Sequence, residues 1–340
     1  QAEALALQRV YPQPMPGAEV PRMRLLAFVA PGDLMANTPL EFLLEGSDVA
    51  LDLLYVVPGR PLPSPLPEHD LAFVAVGESD ENRPVLEELA RLLPGWPRPV
   101  LNSPDRIVRL SREGTGTLLE SAPGVVSAAT CRLARATLED IQQGVLPIER
   151  VLPAADFPVL VRPIGSHAGH GLAKLTDCAA IGAYLREHPE REFFLTRYID
   201  YRSPDGLFRK ARIAVIRGVP YACHLAISTH WMVHYLNAGM TESAEKRDEE
   251  ARFMAGFTTG FARRHAQAIR AMSQQVGLEY FAVDCAETPN GRLLVFEVDV
   301  AMIVHAMDPP EMFPYKHHQM RKVFRAFRRM LYEAAGRFPG

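Results

Sequence analysis

Residues 280–299 read YFAVDCAETPNGRLLVFEVD: two apolar runs joined by a turn, each delivering acid. Phe281, Ala282 and Val283 lead to Asp284; Leu293 to Phe296 lead to Glu297, with Asp299 two residues on. Pro289-Asn290-Gly291 between them is a hairpin signal, because Asn and Gly tolerate positive φ. Strand side chains alternate between faces, so Glu297 and Asp299 share one, and the hairpin folds Asp284 back towards them. Few chains can bury such a ribbon without neutralising its acids. Crowded carboxylates repel, and each is costly to bury alone. A hard divalent cation resolves both problems, and oxygen ligands without Cys or His favour Mg²⁺. The alternative is that Asp284 merely ends a strand and the other two lie on its wet face.

Three continuous apolar runs near the N-terminus define a second feature. Leu25–Ala30 stops at Pro31-Gly32, Leu53–Val57 at Pro58-Gly59, and Leu71–Val76 at Gly77. Unbroken runs indicate strands covered on both faces, hence a parallel sheet with helices outside. Asn37–Glu45 and Asn82–Leu93 are the expected intervening helices, which makes a small doubly wound α/β lobe. No GxGxxG follows the first run, which argues against a dinucleotide domain. Residues 1–21 read as a tail and proline-rich linker.

Val100–Asn102 is a short fourth strand, and Ser103-Pro104 opens a basic helix over 105–122. Arg106, Arg109 and Arg112 fall three apart in it and would share a face. Residues 157–175 run strand, Arg162, glycine turn, strand. Glycines at 165, 169 and 171 let backbone N–H groups approach an anion that Arg162 could also reach; a plain hairpin tip is the alternative. Phe193–Ile199 is a further strand. Lys210 and Arg212 alternate with apolar residues on another, so they line one face. His230 and His234 are four apart, helical spacing for a shared face. Residues 242–250 are a charged helix start or a loop. Phe261–Val276 is an amphipathic helix ending at Gly277, and Lys316–Ala335 a last basic one.

Composition excludes some partners. The charge of −3 from 37 basic and 40 acidic side chains makes no electrostatic case for nucleic acid or an anionic membrane. No apolar run approaches the ~20 residues of a span. Four unpaired-looking cysteines (131, 178, 223, 285) read as reduced thiols of a cytoplasmic protein. The start at Gln1 without Met suggests a piece of something longer, fused to an upstream domain.

The order of these pieces resembles the ATP-grasp superfamily, and within it the glutathione synthetase and RimK-like carboxylate–amine ligases. The resemblance covers residues 22–335 and rests on the ordered set, not on one motif. It implies an α/β fold, α+β in its C-terminal part: a doubly wound pre-ATP-grasp lobe over 22–105, then a two-part ATP-grasp fold, with a small subdomain over 106–195 and a C-terminal one over 196–340. It implies that Arg112 and Arg162 stand where the family places phosphate-binding lysines. Gly165, Ser166, His167, Ala168 and Gly169 would belong to the loop closing over the triphosphate. Thr196, Arg197, Tyr198 and Ile199 match the adenine hinge, and Lys210 lies on the nucleotide side, near where RimK-like members often carry an acid. Arg212 matches the arginine that steadies the transferred phosphoryl group, and Asn237 a polar element near the γ-phosphate. Asp284, Glu297 and Asp299 match the Asp, Glu and Asn that hold two magnesium ions, Mn²⁺ being an alternative. The implied activity is ATP-dependent joining of a small-molecule carboxylate, an amino acid or small peptide, to an amine through an acyl-phosphate. Similar ligases are commonly dimers. A second reading is a nucleotide-binding module without ligase activity that regulates or scaffolds an upstream domain.

Overall fold

The computed structural model describes residues 1–14, 20–153, 155–166 and 169–337. Each apolar run of the N-terminal third becomes a strand. β1 (Val10–Pro12), β2 (Met23–Val29), β3 (Val49–Tyr55), β4 (Leu71–Val74) and β5 (Val100–Leu101) form one sheet in the order β1-β3-β2-β4-β5. The β3-β2-β4-β5 part is parallel, and every residue of β4 is buried, as double coverage requires. β1 lies in the segment expected to be a linker. It adds an antiparallel edge, Val10 pairing with Leu54.

The expected helix over 37–45 is only a turn, Leu40–Leu43. The basic helix over 105–122 is broken. Pro104–Ile107 and a 3₁₀ turn end at Ser111, whose extended backbone and Oγ, accepting from Gly114 N, cap a new helix, Arg112–Leu119. The break takes Arg106, Arg109 and Arg112 off a common face. After it comes β6 (Val125–Ser127).

β7 (Thr130–Ala134), β8 (Val159–Pro163), β9 (Ala173–Leu175) and β10 (Glu192–Arg197) form a second, antiparallel sheet, β7-β10-β8-β9. It has its own core, which includes Leu133, Leu138, Val159, Val161, Phe193 and Leu195. β11 (Phe208–Ile216), β12 (Val219–Ser228), β13 (Tyr280–Glu287) and β14 (Leu293–Asp299) form the third sheet with β6, in the order β12-β11-β13-β14-β6. The first and third sheets share one apolar core. Ile107, Leu110, Leu119 and Val125 belong to that core, so residues 106–127, grouped with the small subdomain from sequence, pack with the main core.

The helix expected over Phe261–Val276 is interrupted at His265 and ends at Gly277 in the left-handed conformation (φ 64°), as a C-terminal glycine permits. Residues 244–255 are a helix capped by Ser243. The last helix, Pro314–Ala334, lies against β11 and β12. Among the described residues no helix is long and apolar enough to cross a membrane.

Candidate functional site

The register of the third sheet builds the site. Arg212 on β11 pairs with Asp284 on β13, Asp284 with Glu297 on β14, and Ala282 with Asp299. Directly opposed residues point to the same face, as do residues two apart on one strand. Lys210, Arg212, Asp284, Glu297 and Asp299 therefore share a face. Bulges after Arg212 and after Asp284 bend the strands there, as bulges commonly do beside functional positions.

On that face two of the acids, Asp284 and Glu297, are paired with cations. Arg212 Nε donates to Asp284 Oδ1 at 2.8 Å and Nη2 to Oδ2 at 3.2 Å. Lys210 Nζ lies 2.8 Å from Oδ2, and Arg212 Nη1 is fixed on the Ile303 carbonyl at 3.1 Å. The Asp284 side chain is 4% exposed. Burial alone would raise its carboxyl, but Lys210 and Arg212 outweigh that and hold it well below the usual carboxylate range. His224, paired with Arg212 from β12, is held neutral by burial and by that guanidinium. Glu297 accepts from Arg112 Nη2 at 2.8 Å. Among the described residues no cation forms an ion pair with Asp299. Its Oδ1 accepts from Ala301 N at 3.0 Å, and burial followed by the Glu297 charge pushes its carboxyl up to about 6.

The three acids expected to converge share one face, and there Lys210 and Arg212 bind Asp284. Among the described residues no three His, Cys, Asp or Glu side chains come together so as to hold a metal ion.

The small lobe brings a further cation. Arg162 ends β8 and is 8% exposed. Its Nε donates to Ser166 Oγ at 3.0 Å, Nη2 donates to the Ser166 carbonyl, and Ser166 Oγ donates to the Pro163 carbonyl at 2.7 Å. The glycine turn thus orients this guanidinium. Burial and the neighbouring Arg112 lower its pKa to about 10, against the pull of Glu297. Arg112 and Glu297 therefore lie near Arg162. Gly165 and Gly169 have φ near 75°, and Met232 packs where a Gly169 Cβ would sit. His167 and Ala168 lie outside the described residues.

At the end of β10, Thr196 Oγ1 is 3.0 Å from Thr130 Oγ1, and Arg197 N donates to the Ala129 carbonyl at 2.9 Å. Lys174 Nζ lies 4.5 Å from the Tyr198 ring centroid and 5.7 Å from that of Trp231. The two rings are 6.0 Å apart, edge to face. Ile199 packs against the main core. Lys174 and Trp231 escaped sequence reasoning. Only the histidines of the HWMVH stretch drew notice, and these sit in irregular chain, not on a helix. Asn237 lies on an exposed turn, Tyr235–Asn237. The turn follows His234, whose pKa is lowered by burial and by Lys210 and Arg212, which places it beside those cations.

Glu78 was also missed. It follows Gly77 at the carboxyl end of β4, where parallel sheets place their ligand crevices, and that position was the available signal. Burial pushes its carboxyl up to about 7, against Arg83 and with help from Asp80 and Asp299; Arg83 Nη2 donates to it at 2.7 Å.

No protein family's model matches this chain. Its shape is similar to D-alanyl-alanine synthetase A from Vibrio cholerae, with a TM-score of 0.56 at 11% identity over 92% of this chain and 98% of that one. The D-alanine–D-alanine ligase from Bacillus anthracis complexed with ATP gives 0.52 at 13% identity, over 92% and 96%. The D-alanine–D-alanine ligase from Coxiella burnetii gives 0.51 at 13%, over 90% and 97%. At these identities the likeness is one of fold.

Proposed function

We propose, from the ATP-grasp fold that this chain has, that it is an ATP-dependent carboxylate–amine ligase acting on an amino acid or small peptide. The observation that carries the reading is the convergence of Arg162, Arg112, Lys210 and Arg212, from two sheets and a helix N-terminus, on one carboxylate-bearing face. A polyanion between those sheets would meet cations on both sides. Gly165 leaves the turn beside Arg162 open to a phosphate, and the aromatic corner of Tyr198 and Trp231 at the end of β10 would take the flat base.

Magnesium, which the fold implies, fits part of this face. Glu297 and Asp299 would hold a divalent ion, since burial and then the Glu297 charge raise the Asp299 carboxyl, and a cation offsets both. Such an ion would spread the charge of the phosphate chain. Asp284 is the poorer third ligand, since Lys210 and Arg212 already take three of its about four lone-pair sites.

In the reaction a substrate carboxylate oxygen attacks the γ-phosphorus and ADP leaves. An amine then attacks the acyl carbon, loses a proton, and phosphate departs. Arg212, held on the Ile303 carbonyl, and Arg162, held by Ser166, keep fixed positive charge where negative charge develops, so little reorganisation accompanies the step. The carboxylate and amine would enter beside Arg212, near Asn237 and His305.

ADP release with a panel of amino acids, for the natural chain and for Glu297→Ala, tests the reading. Release stimulated by at least one amino acid and lost in Glu297→Ala is expected. Tight ATP binding with no stimulated release would instead favour a nucleotide-binding module without ligase activity, the reading that the cation-bound Asp284 favours.

A further inference from the structure

We infer that Lys210 and Arg212 together take, on Asp284, the place of a divalent ion, so that this site works with one ion and a pair of resident cations. The inference rests on the nucleotide-binding reading above and goes beyond it.

Register supplies the geometry. Arg212 is directly opposite Asp284 and Lys210 is two residues back on the same strand, so both reach one carboxylate from the same side. Three contacts of 2.8–3.2 Å use both carboxylate oxygens. The charge also balances. Two monocations on one carboxylate leave one net positive charge, as a divalent ion on one carboxylate does. A phosphate facing Asp284 meets the same charge either way.

Displacement is unfavourable. The side chains of Lys210 and Arg212 are only 19% and 21% exposed. An ion entering at Asp284 would leave two covered like charges side by side without their partner. Magnesium sheds its water reluctantly and needs near-octahedral oxygen donors, and Lys210 and Arg212 take three of the about four lone-pair sites of Asp284. The bond from Arg212 to the Ile303 carbonyl further holds the guanidinium in place.

Counting Mn²⁺ by electron paramagnetic resonance, on the full chain with a non-hydrolysable ATP analogue, tests this. One Mn²⁺ per chain is expected, lost in Glu297→Gln and retained in Asp284→Asn, with a second, weaker ion gained in Lys210→Ala. Two ions in the natural chain, none, or loss of the ion in Asp284→Asn overturns the inference. Asp284→Asn strands two covered cations and could fail to fold. The counts in the natural chain and in Lys210→Ala then decide: one rising to two supports the inference, and any other pair of counts overturns it. Calorimetry separates the failures. A chain that does not bind the analogue defeats the nucleotide reading, and the same counts without nucleotide then decide the role of Lys210.

Discussion

Arg162 shows how a single residue can be legible in type and not in geometry. Its position before a glycine turn marked it from sequence; its guanidinium is aimed by Ser166, which only the folded turn reveals. Arg162→Ala is expected to weaken ATP binding by about 1.5–3 kcal/mol, the worth of a charge-assisted hydrogen bond. A calorimetric affinity equal to that of the natural chain would remove Arg162 from the site. Asp299 gives a pH prediction. Its ordinary pKa is 3.8, and in the fold burial and Glu297 carry it to about 6. Between those values the folded chain keeps a proton that the unfolded chain loses, so stability falls as pH rises through this window and stays lower above it. In EDTA, Asp299→Asn should therefore raise Tm at about pH 7.5 and change it little at about pH 3.5. A Tm that falls at the higher pH would show that the carboxylate is not strained.

At the scale of elements, the hairpin and the parallel strands were readable because local rules govern them: alternation, unbroken apolar runs and turn chemistry. β13 and β14 flank the Pro-Asn-Gly turn as expected, with Gly291 at φ 73°. The helix over 105–122 was misread because Ser111 was counted as an ordinary helical residue, whereas its side chain competes for the backbone and starts a new helix. The glycine turn beside Arg162 separates two roles for glycine. Gly171 has φ 65°, and a Cβ there would lie 2.7 Å from Pro163 Cδ; Gly165 has φ 75° and open space. Gly165→Ala should cost about 1–2 kcal/mol from the left-handed backbone alone. Gly171→Ala should cost more, measured by urea unfolding. Equal costs would mean that Pro163 yields.

At the scale of the whole molecule, Asn102 pins the first sheet to the third. It is fully buried at the end of β5, with φ 58°. Its Nδ2 donates to the Tyr280 carbonyl at 2.8 Å, and its Oδ1 accepts from Tyr280 N at 3.0 Å. Its own N donates to Glu279 Oε2 at 2.9 Å. Phe73 and Tyr280 each pack edge-on with Phe327 around the same joint. Asn102→Ala strips both Tyr280 backbone groups of their partner, and each buried orphan costs about 1–3 kcal/mol. A urea midpoint unchanged from the natural chain would show that the joint carries no weight.

The sequence by itself determined which residues share a strand face and where the turns fall, because side-chain alternation and turn preference act over a few residues. Only the tertiary structure decided that Asp284 is neutralised by Lys210 and Arg212. That pairing spans more than seventy residues and depends on the register in which β11 meets β13. Register is chosen by the burial of whole strand faces, which no local stretch of sequence contains.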